Sequence, residues 1–312
     1  MAITTISVVT VGEIIGIGER MKVAVIDLFC GMGGFTQGAI EAGAEVVLAV
    51  DSWEAALAVH HTNHPGVPIS RVTLGERYQF SIFKKLVDKY RALGYHVHIH
   101  GSPPCQALSN ASNRNPEEGM PLVIWFLDCV KFADPDSWSM ENVVPVRKRL
   151  PEGTPSVILN SADFGVAQTR RRCFAGEGWV ANPTHSKDEW LGVIDVLPHL
   201  KELVRPPVTS QSVKQIRLEA LGSNAKRNND REISEPSKTI CGSGNQVGAR
   251  IFNHSENKPE KIRSLTIQET LILQGFSHEY DLGLARTQKA RWTMIGNAVV
   301  PAVARAVIEG IK

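Results

Sequence analysis

Asp27-Leu28-Phe29-Cys30-Gly31-Met32-Gly33-Gly34-Phe35 is the stretch from which the fold can be read. Val23 to Phe29 is a short apolar run that fits a buried strand, Cys30 to Gly34 supplies a tight turn, and Phe35 to Ala42 has a helical pattern. A loop Gly31-x-Gly33-Gly34 at a strand end lets the backbone pass close to a ligand where any Cβ would clash. The next strand, Glu45 to Val50, ends at Asp51, twenty residues after Gly31. At that offset a carboxylate can accept hydrogen bonds from ribose hydroxyls in a nucleotide-type fold. The loop lacks the third glycine of the dinucleotide fingerprint and the Gly-Lys-Ser/Thr of a phosphate loop. An adenosine cofactor without pyrophosphate is therefore expected.

A helical stretch follows from Glu54, which completes a βαβ unit of a doubly wound α/β sheet. Further strands are expected at His96 to His100, Trp138 to Met140 and Cys173 to Ala175, each beside a polar cluster. Ligands in such sheets bind at the carboxyl ends of the strands. Between Gly176 and Ile262 the pattern degrades into Gly-, Ser-, Asn- and Pro-rich segments, with a basic knot at Lys226, Arg227 and Arg231. That stretch reads as an inserted module. Regular pattern returns at Thr266 to Leu273, and Ala298 to Ile311 is apolar enough to pack back on the first domain. The expected organisation is an N-terminal extension (1–20), a cofactor-binding and catalytic domain (21–175), an irregular module with a hinge (176–285) and a C-terminal segment (286–312) that completes the first domain. Met21 is an alternative start.

Bulk composition narrows the class less than the motifs do. With 312 residues, 43% hydrophobic and 21% charged, the chain is long enough to bury a sizeable core, and no apolar run approaches a bilayer span. The net charge of +2 permits a polyanionic partner without requiring one. Five cysteines, with no Cys-x-x-Cys pair, suit neither a disulfide framework nor a zinc site, and no metal is expected. A reducing cytoplasm is the expected location, where a free thiol can act as nucleophile.

Gly101-Ser102-Pro103-Pro104-Cys105-Gln106 presents such a thiol after a strand, with two prolines fixing the backbone. The polar stretch Gln106 to Glu118 reads as a loop that closes over a substrate. Met140-Glu141-Asn142-Val143 sets a carboxylate just after another strand, and a buried Glu must be paired or protonated. Gln168-Thr169-Arg170-Arg171-Arg172 precedes a third apolar run. These parts fit one reaction. Carbon 5 of cytosine is a poor nucleophile, so its methylation requires a thiolate, from Cys105, to add first at carbon 6. An acid at ring nitrogen 3, Glu141, eases that addition. Arg170, and after it Arg172, are the candidates for the exocyclic oxygen and its surroundings.

The same residues resemble a known family, the DNA (cytosine-5) methyltransferases. Asp27 to Phe35 is similar to its cofactor loop, Pro104-Cys105-Gln106 to its nucleophile motif, Glu141-Asn142-Val143 to its acid motif and Gln168-x-Arg170-x-Arg172 to the next. Arg263-Ser264-Leu265-Thr266, Glu269 and Leu273-Gln274-Gly275-Phe276 resemble the helix before the hinge, and Gly296-Asn297-Ala298-Val299-Val300-Pro301 the terminal motif. The resemblance implies a Rossmann-like S-adenosylmethionine-dependent methyltransferase domain with a small, irregular target-recognition domain. It implies base flipping in double-stranded DNA. It also implies cofactor contacts from Phe29, Gly31, Gly33, Gly34, Asp51, Pro104, Asn297 and Val299. Substrate contacts are expected from Gln106, Ser109 and Asn142, and from Thr239, Gly242 and Gly244 in the stretch after Pro236-Ser237-Lys238. The sequence departs from the family where Arg71-Val72-Thr73 stands in place of the Asp motif that grips the adenine amino group, and Ser112 in place of a glycine. An RNA methyltransferase and a catalytically silent DNA-binding homologue are the alternatives. A restriction endonuclease partner is left open.

Overall fold

A computed structural model describes residues 21–104, 116–203, 216–219, 230–242, 250–255 and 258–312. Cys105, Gln106, Ser109, Gly244, Lys226, Arg227, residues 1–20 and nearly all of the expected closing loop lie outside the described residues.

Strand β1 (Val23–Leu28) runs through the glycine loop into helix α1 (Gly34–Glu41). Then come β2 (Glu45–Asp51), α2 (Glu54–Asn63), β3 (Ile69–Arg71), α3 (Gln79–Ala92) and β4 (His96–Gly101). They are followed by α4 (Met120–Ala133), β5 (Ser137–Val143), β6 (Ser156–Asn160), β7 (Gln168–Thr169) and β8 (Arg171–Glu177). The large sheet has the order β3-β2-β1-β4-β5-β8-β6. Its first five strands are mutually parallel. The order turns back between β1 and β4, and the crevice at the carboxyl ends of such a switch point is where ligands bind in open α/β sheets. The glycine loop leaves β1 there and the Ser-Pro-Pro turn leaves β4 beside it.

Alternation along the strands divides the core. Ala24, Ile26 and Leu28 of β1 and Val97 and Ile99 of β4 pack against α3 and α4 through Phe80, Phe83, Val123 and Phe126. Val25 packs on the other face with Phe35 and Ala39 of α1 and with Val303 and Val307 from the C-terminal helix. Two glycines make that second layer close. A Cβ at Gly34 would lie 2.1 Å from the Val299 carbonyl oxygen, and one at Gly38 would lie 2.2 Å from that of Pro301.

The expected strand at Cys173 to Ala175 exists, but β8 runs antiparallel to both β5 and β6 and extends to Glu177. The residues ahead of β8 therefore meet the residues that follow β5. The inserted stretch is more regular than its sequence suggests. After α5 (Val193–Val196), strands β9 (Ile216–Glu219), β10 (Asp230–Glu232), β12 (Arg250–Ser255) and β13 (Lys258–Ser264) form an antiparallel sheet of order β10-β9-β12-β13. Short, charge-bearing strands such as Asp230-Arg231-Glu232 hide the alternation that normally reveals a sheet. Between them β11 (Ser237–Lys238) pairs in parallel with β7, which ties the module to the large domain.

The chain returns through α6 (Ile267–Leu273), α7 (Gln288–Asn297) and α8 (Pro301–Glu309). At the start of α6, Thr266 and Glu269 form a capping box: the Glu269 N–H donates to Thr266 Oγ1 at 3.1 Å and the Thr266 N–H to Glu269 Oε2 at 2.7 Å. Arg263 grips the same carboxylate with both terminal nitrogens, at 2.7 and 2.6 Å, and His199 Nε2 reaches it at 2.7 Å. Burial acts to raise the Glu269 carboxyl, but the hydrogen bonds from Arg263, His199 and Thr266 outweigh it and hold the group at about 2. Its contribution to stability is thus complete above the ordinary value of 4.5 and is lost as pH falls toward 2. Glu269→Gln should lower stability at neutral pH by about 1.5–3 kcal/mol, the range for hydrogen bonds to charged groups. In denaturant titrations the wild-type advantage should shrink as pH drops below 4.5.

Candidate active site

The glycine loop forms one wall. Phe29 has φ 58 and is one of two non-glycine residues with positive φ among those described; such strain collects at ligand sites. Its ring meets Trp125 edge-on at 5.9 Å. Gly31 follows with φ +54, and a Cβ added there would meet nothing within 4 Å. Asp51 at the end of β2 takes the Gly31 N–H on Oδ2 and the Trp53 N–H on Oδ1, both at 2.8 Å. Two bonds leave an ionised carboxylate with further acceptor capacity.

Behind this loop lies a polar cluster that the motif reading quoted only in part. Asp27 is fully buried, accepts from Thr36 Oγ1 at 2.8 Å, and its Oδ1 has no hydrogen-bond partner among the described residues. Burial pushes its carboxyl up to about 7 against the bonds from Thr36, with the Asp51 charge adding to the rise. His60 Nε2 lies 3.0 Å from Thr36 Oγ1. Since that hydroxyl donates to Asp27, His60 must carry its proton on Nε2. Tyr280 reaches back to donate to the Met32 carbonyl, which links the segment after α6 to the loop. A carboxylate inside the apolar run Val23 to Phe29 was the signal for this cluster.

The second wall is made where β5 and β8 meet. Glu141 is buried, and Arg172 Nε lies 3.0 Å from its Oε1. Burial holds the Glu141 carboxyl above its ordinary value, opposed by Arg172 and then Arg170. Asn142 donates from Nδ2 to the Pro103 carbonyl at 3.1 Å and accepts the Val143 N–H at 2.9 Å, so the residue after the acid holds the Ser-Pro-Pro turn. Glu141 and Pro103 are thereby neighbours, and Cys105 is two residues beyond Pro103.

Several expected contacts are arranged otherwise. Arg170, expected ahead of Arg172 at the substrate, is 3% exposed and directs its terminal nitrogens to the carbonyls of Ile240, Gly296 and Ala298 at 2.9, 2.9 and 3.2 Å. Its place is a junction between the module and the C-terminal segment, because it sits at the break between β7 and β8 and faces inward. Gln168 works beside it, donating to the Leu273 carbonyl and Gln274 Oε1 and accepting the Ile240 N–H, each at 2.9 Å. Val299 is a core residue whose backbone abuts Gly34, so both pack the glycine loop against the C-terminal segment. Thr239 donates its hydroxyl to the Thr169 carbonyl at 2.9 Å. Gly242 lies against exposed Asn297: a Cβ there would be 2.5 Å from Asn297 Oδ1. Gly33 has φ +97 and faces His60. Pro104 is exposed.

The family model for C-5 cytosine-specific DNA methylases matches residues 23–151 and 181–312. The chain belongs to that family, and it is a DNA cytosine-5 methyltransferase. It is similar to the type II methyltransferase M.HindV of Haemophilus influenzae, 28% identical over 92% of this chain and 95% of that protein. The type II methyltransferase M.HgiDI of Herpetosiphon aurantiacus is 29% identical over 88% of this chain and 89% of its own length. Among solved structures, a DNA modification methyltransferase encoded within an E. coli prophage superposes with a TM-score of 0.61 at 19% identity, covering 93% of this chain and 98% of that one. A DNMT2 variant from Spodoptera frugiperda gives 0.60 at 15% identity, with 91% and 98% covered. These likenesses agree with the mixed α/β fold of the methyltransferase. No helix among the described residues is long and apolar enough to cross a membrane, and they hold no cluster of metal-binding side chains.

The geometry separates the two arginines by their partners. Arg170→Met should leave the carbonyls of Ile240 and Gly296 without their donor, Ala298 keeping Gln274 Nε2 at 2.9 Å, and lower stability by about 2 kcal/mol or more, given about 1–3 kcal/mol for each buried group left unsatisfied. Chemical denaturation should show that loss, whereas Arg172→Met, on the half-buried strand edge, should cost less.

Proposed function

We propose that the methyltransferase acts on a cytosine flipped out of double-stranded DNA, with Cys105 as nucleophile, Glu141 as acid and Arg172 as the partner that orients Glu141. The observation that carries this reading is the pairing of buried Glu141 with half-buried Arg172 at the strand ends beside the Pro103–Pro104 turn. The Cys105 thiolate adds to ring carbon 6 while the Glu141 carboxyl donates to nitrogen 3, so that the electron pair moves toward carbon 5. Burial keeps this carboxyl protonated more readily than an exposed Glu, and the Arg172 contact keeps it aimed. After methylation, a water molecule takes the carbon 5 proton, the thiolate is expelled and nitrogen 3 returns its proton to Glu141, which restores the ring. Arg170 supports this site from behind by holding the segments around Ile240 and Gly296.

The cofactor best suited to the first wall is S-adenosylmethionine, which supplies an electrophilic methyl group when bound. Asp51 retains acceptor capacity for ribose hydroxyls, Phe29 offers a ring face, and the open side of Gly31 admits close approach. The orphaned Asp27 Oδ1 fits a cationic group such as the cofactor's ammonium. Gly33, Pro104 and Asn297 border the same space in this reading. Target choice is assigned to residues 176–285, with Gly242 and Gly244 near the bases. The type II names of the relatives support a setting in which methylation protects sites from a restriction endonuclease, in the reducing cytoplasm that a thiol nucleophile requires.

Duplex DNA with 5-fluorocytosine at the target tests the chemistry, because fluorine cannot leave as a cation and the adduct persists. A band that survives boiling in detergent is expected, dependent on S-adenosylmethionine. Cys105→Ala should abolish it, and Glu141→Gln should slow its formation by roughly 10²- to 10⁴-fold, the usual range for acid–base assistance. An undiminished adduct from Cys105→Ala would remove the assignment.

A further inference from the structure

The face of β4 beneath α1 is polar where a buried strand would ordinarily be apolar. His96, His98 and His100 alternate there with Val97 and Ile99, and Ser137 and Ser139 of β5 stand next to them in register. His96 Nε2 lies 2.8 Å from Ser137 Oγ, and Ser137 Oγ lies 2.7 Å from His98 Nδ1. His98 Nε2 is 2.8 Å from Ser139 Oγ, which is 2.8 Å from His100 Nδ1, and His100 Nε2 is 2.9 Å from Ser102 Oγ. His98 and His100 are fully buried, and the Phe35 ring lies parallel to both, at 6.0 and 3.5 Å between centroids. Burial drives His98 down to about 3, and His100 is lowered as well, first by burial and then by the charge of His98.

Such an unbranched column has few internal arrangements. A neutral imidazole carries one N–H and one lone pair, and a hydroxyl carries one hydrogen. If every link is a hydrogen bond and each serine between two rings spends its one hydrogen inside the column, all donors point the same way along it. His98 and His100 must then share one tautomer. With both protonated on Nε2, Ser102 accepts from the column and keeps its own hydrogen to donate elsewhere. With both protonated on Nδ1, Ser102 donates inward. A protonated ring would break either order.

Apolar side chains in this layer would carry no risk of unsatisfied groups, whereas a polar network must be complete to be tolerated. The end of the column suggests what it does. Pro103 and Pro104 have no N–H, so the turn offers few handles for hydrogen bonding. It is held by the Ser102 N–H to the Leu28 carbonyl at 3.1 Å, by Asn142 to the Pro103 carbonyl, and by the Ser102 hydroxyl to His100. We propose that the His96–Ser137–His98–Ser139–His100–Ser102 column is a positioning device for the nucleophile turn, fixing the Ser102 hydroxyl and the chain path into Cys105 through a hydrogen-bond order set inside the sheet. The six side chains are positioning residues, and their effect on rate rests on the reading of Cys105 as nucleophile.

The test uses the full-length protein and two readouts. Nitrogen-15 NMR of labelled histidines should find His98 and His100 neutral and in the same tautomer across neutral pH. Ser139→Ala removes the hydroxyl they share, and trapping by 5-fluorocytosine duplex, counted per titrated active site, should slow by roughly 10- to 100-fold, the scale of a small misplacement. The KM values for DNA and cofactor should stay near wild type, and Ser139→Thr, which keeps the hydroxyl, should restore most of the rate. If Ser139→Ala does not fold, Ser102→Ala against Ser102→Thr makes the same comparison at the half-buried end. A column that serves stability alone would lower the melting temperature and leave the rate per active site unchanged, which would overturn the proposal. Opposite tautomers at His98 and His100 would overturn it too. Failure of wild type to form any adduct would strike the Cys105 reading instead, and steady-state methyl transfer by the same variants would then decide the column's role.

Discussion

The site depends on the direction of one strand. Because β8 lies antiparallel between β5 and β6, its first residues stand at the carboxyl ends of its neighbours, and Val143 and Arg172 are paired in register. Were β8 parallel, Arg172 would sit at the opposite edge, and Glu141 would be a buried carboxyl without its cation. Such a carboxyl would take up a proton and lose the contact that restrains it, so the aim of Glu141 depends on the strand reversal. The same reversal leaves Arg170 at the break ahead of β8, where it joins the module to the C-terminal segment.

The rest of the site is assembled from contacts between parts of the chain far apart in sequence. Gly34 and Gly38 let the backbone around Val299 and Pro301 come close enough for α8 to cover α1. Tyr280 contacts Met32, Asn142 contacts Pro103, and Arg170 contacts Ala298. The polar layer between the sheet and α1, with Asp27 of β1 bonded to Thr36 of α1 and the histidine column on the neighbouring strand, is buried at a cost that apolar residues would avoid. Both polar groups lie directly behind segments at the carboxyl ends of the sheet: the glycine loop and the Ser102–Pro104 turn.

What could be read from the sequence follows from this. The glycine loop and Asp51 were legible because a strand, a turn and a carboxylate at fixed offset are local features, and the Gly31 N–H does donate to Asp51. Glu141 was legible because a carboxylate directly after an apolar run stands out. The direction of β8 was not, since Cys173-Phe174-Ala175 reads the same whichever way the strand runs. Without it, the order of Arg170 and Arg172 could not be derived. The close approach of Gly34 to the Val299 backbone was not legible, because it joins segments far apart in sequence. The sheet of the inserted module was hidden by charged residues on short strands, and the histidine column needed the register of β4 against β5 to become visible.

The account turns on Glu141 being a buried acid restrained by Arg172, and its titration tests that most directly. With carbon-13 in the glutamate carboxyls and Glu141→Gln to assign the signal, the Glu141 resonance should titrate above the ordinary carboxylate value of 4.5. In Arg172→Gln it should move higher still, because the opposing cation is gone. A Glu141 that titrates at or below the ordinary value, or that does not respond to loss of Arg172, would contradict the account.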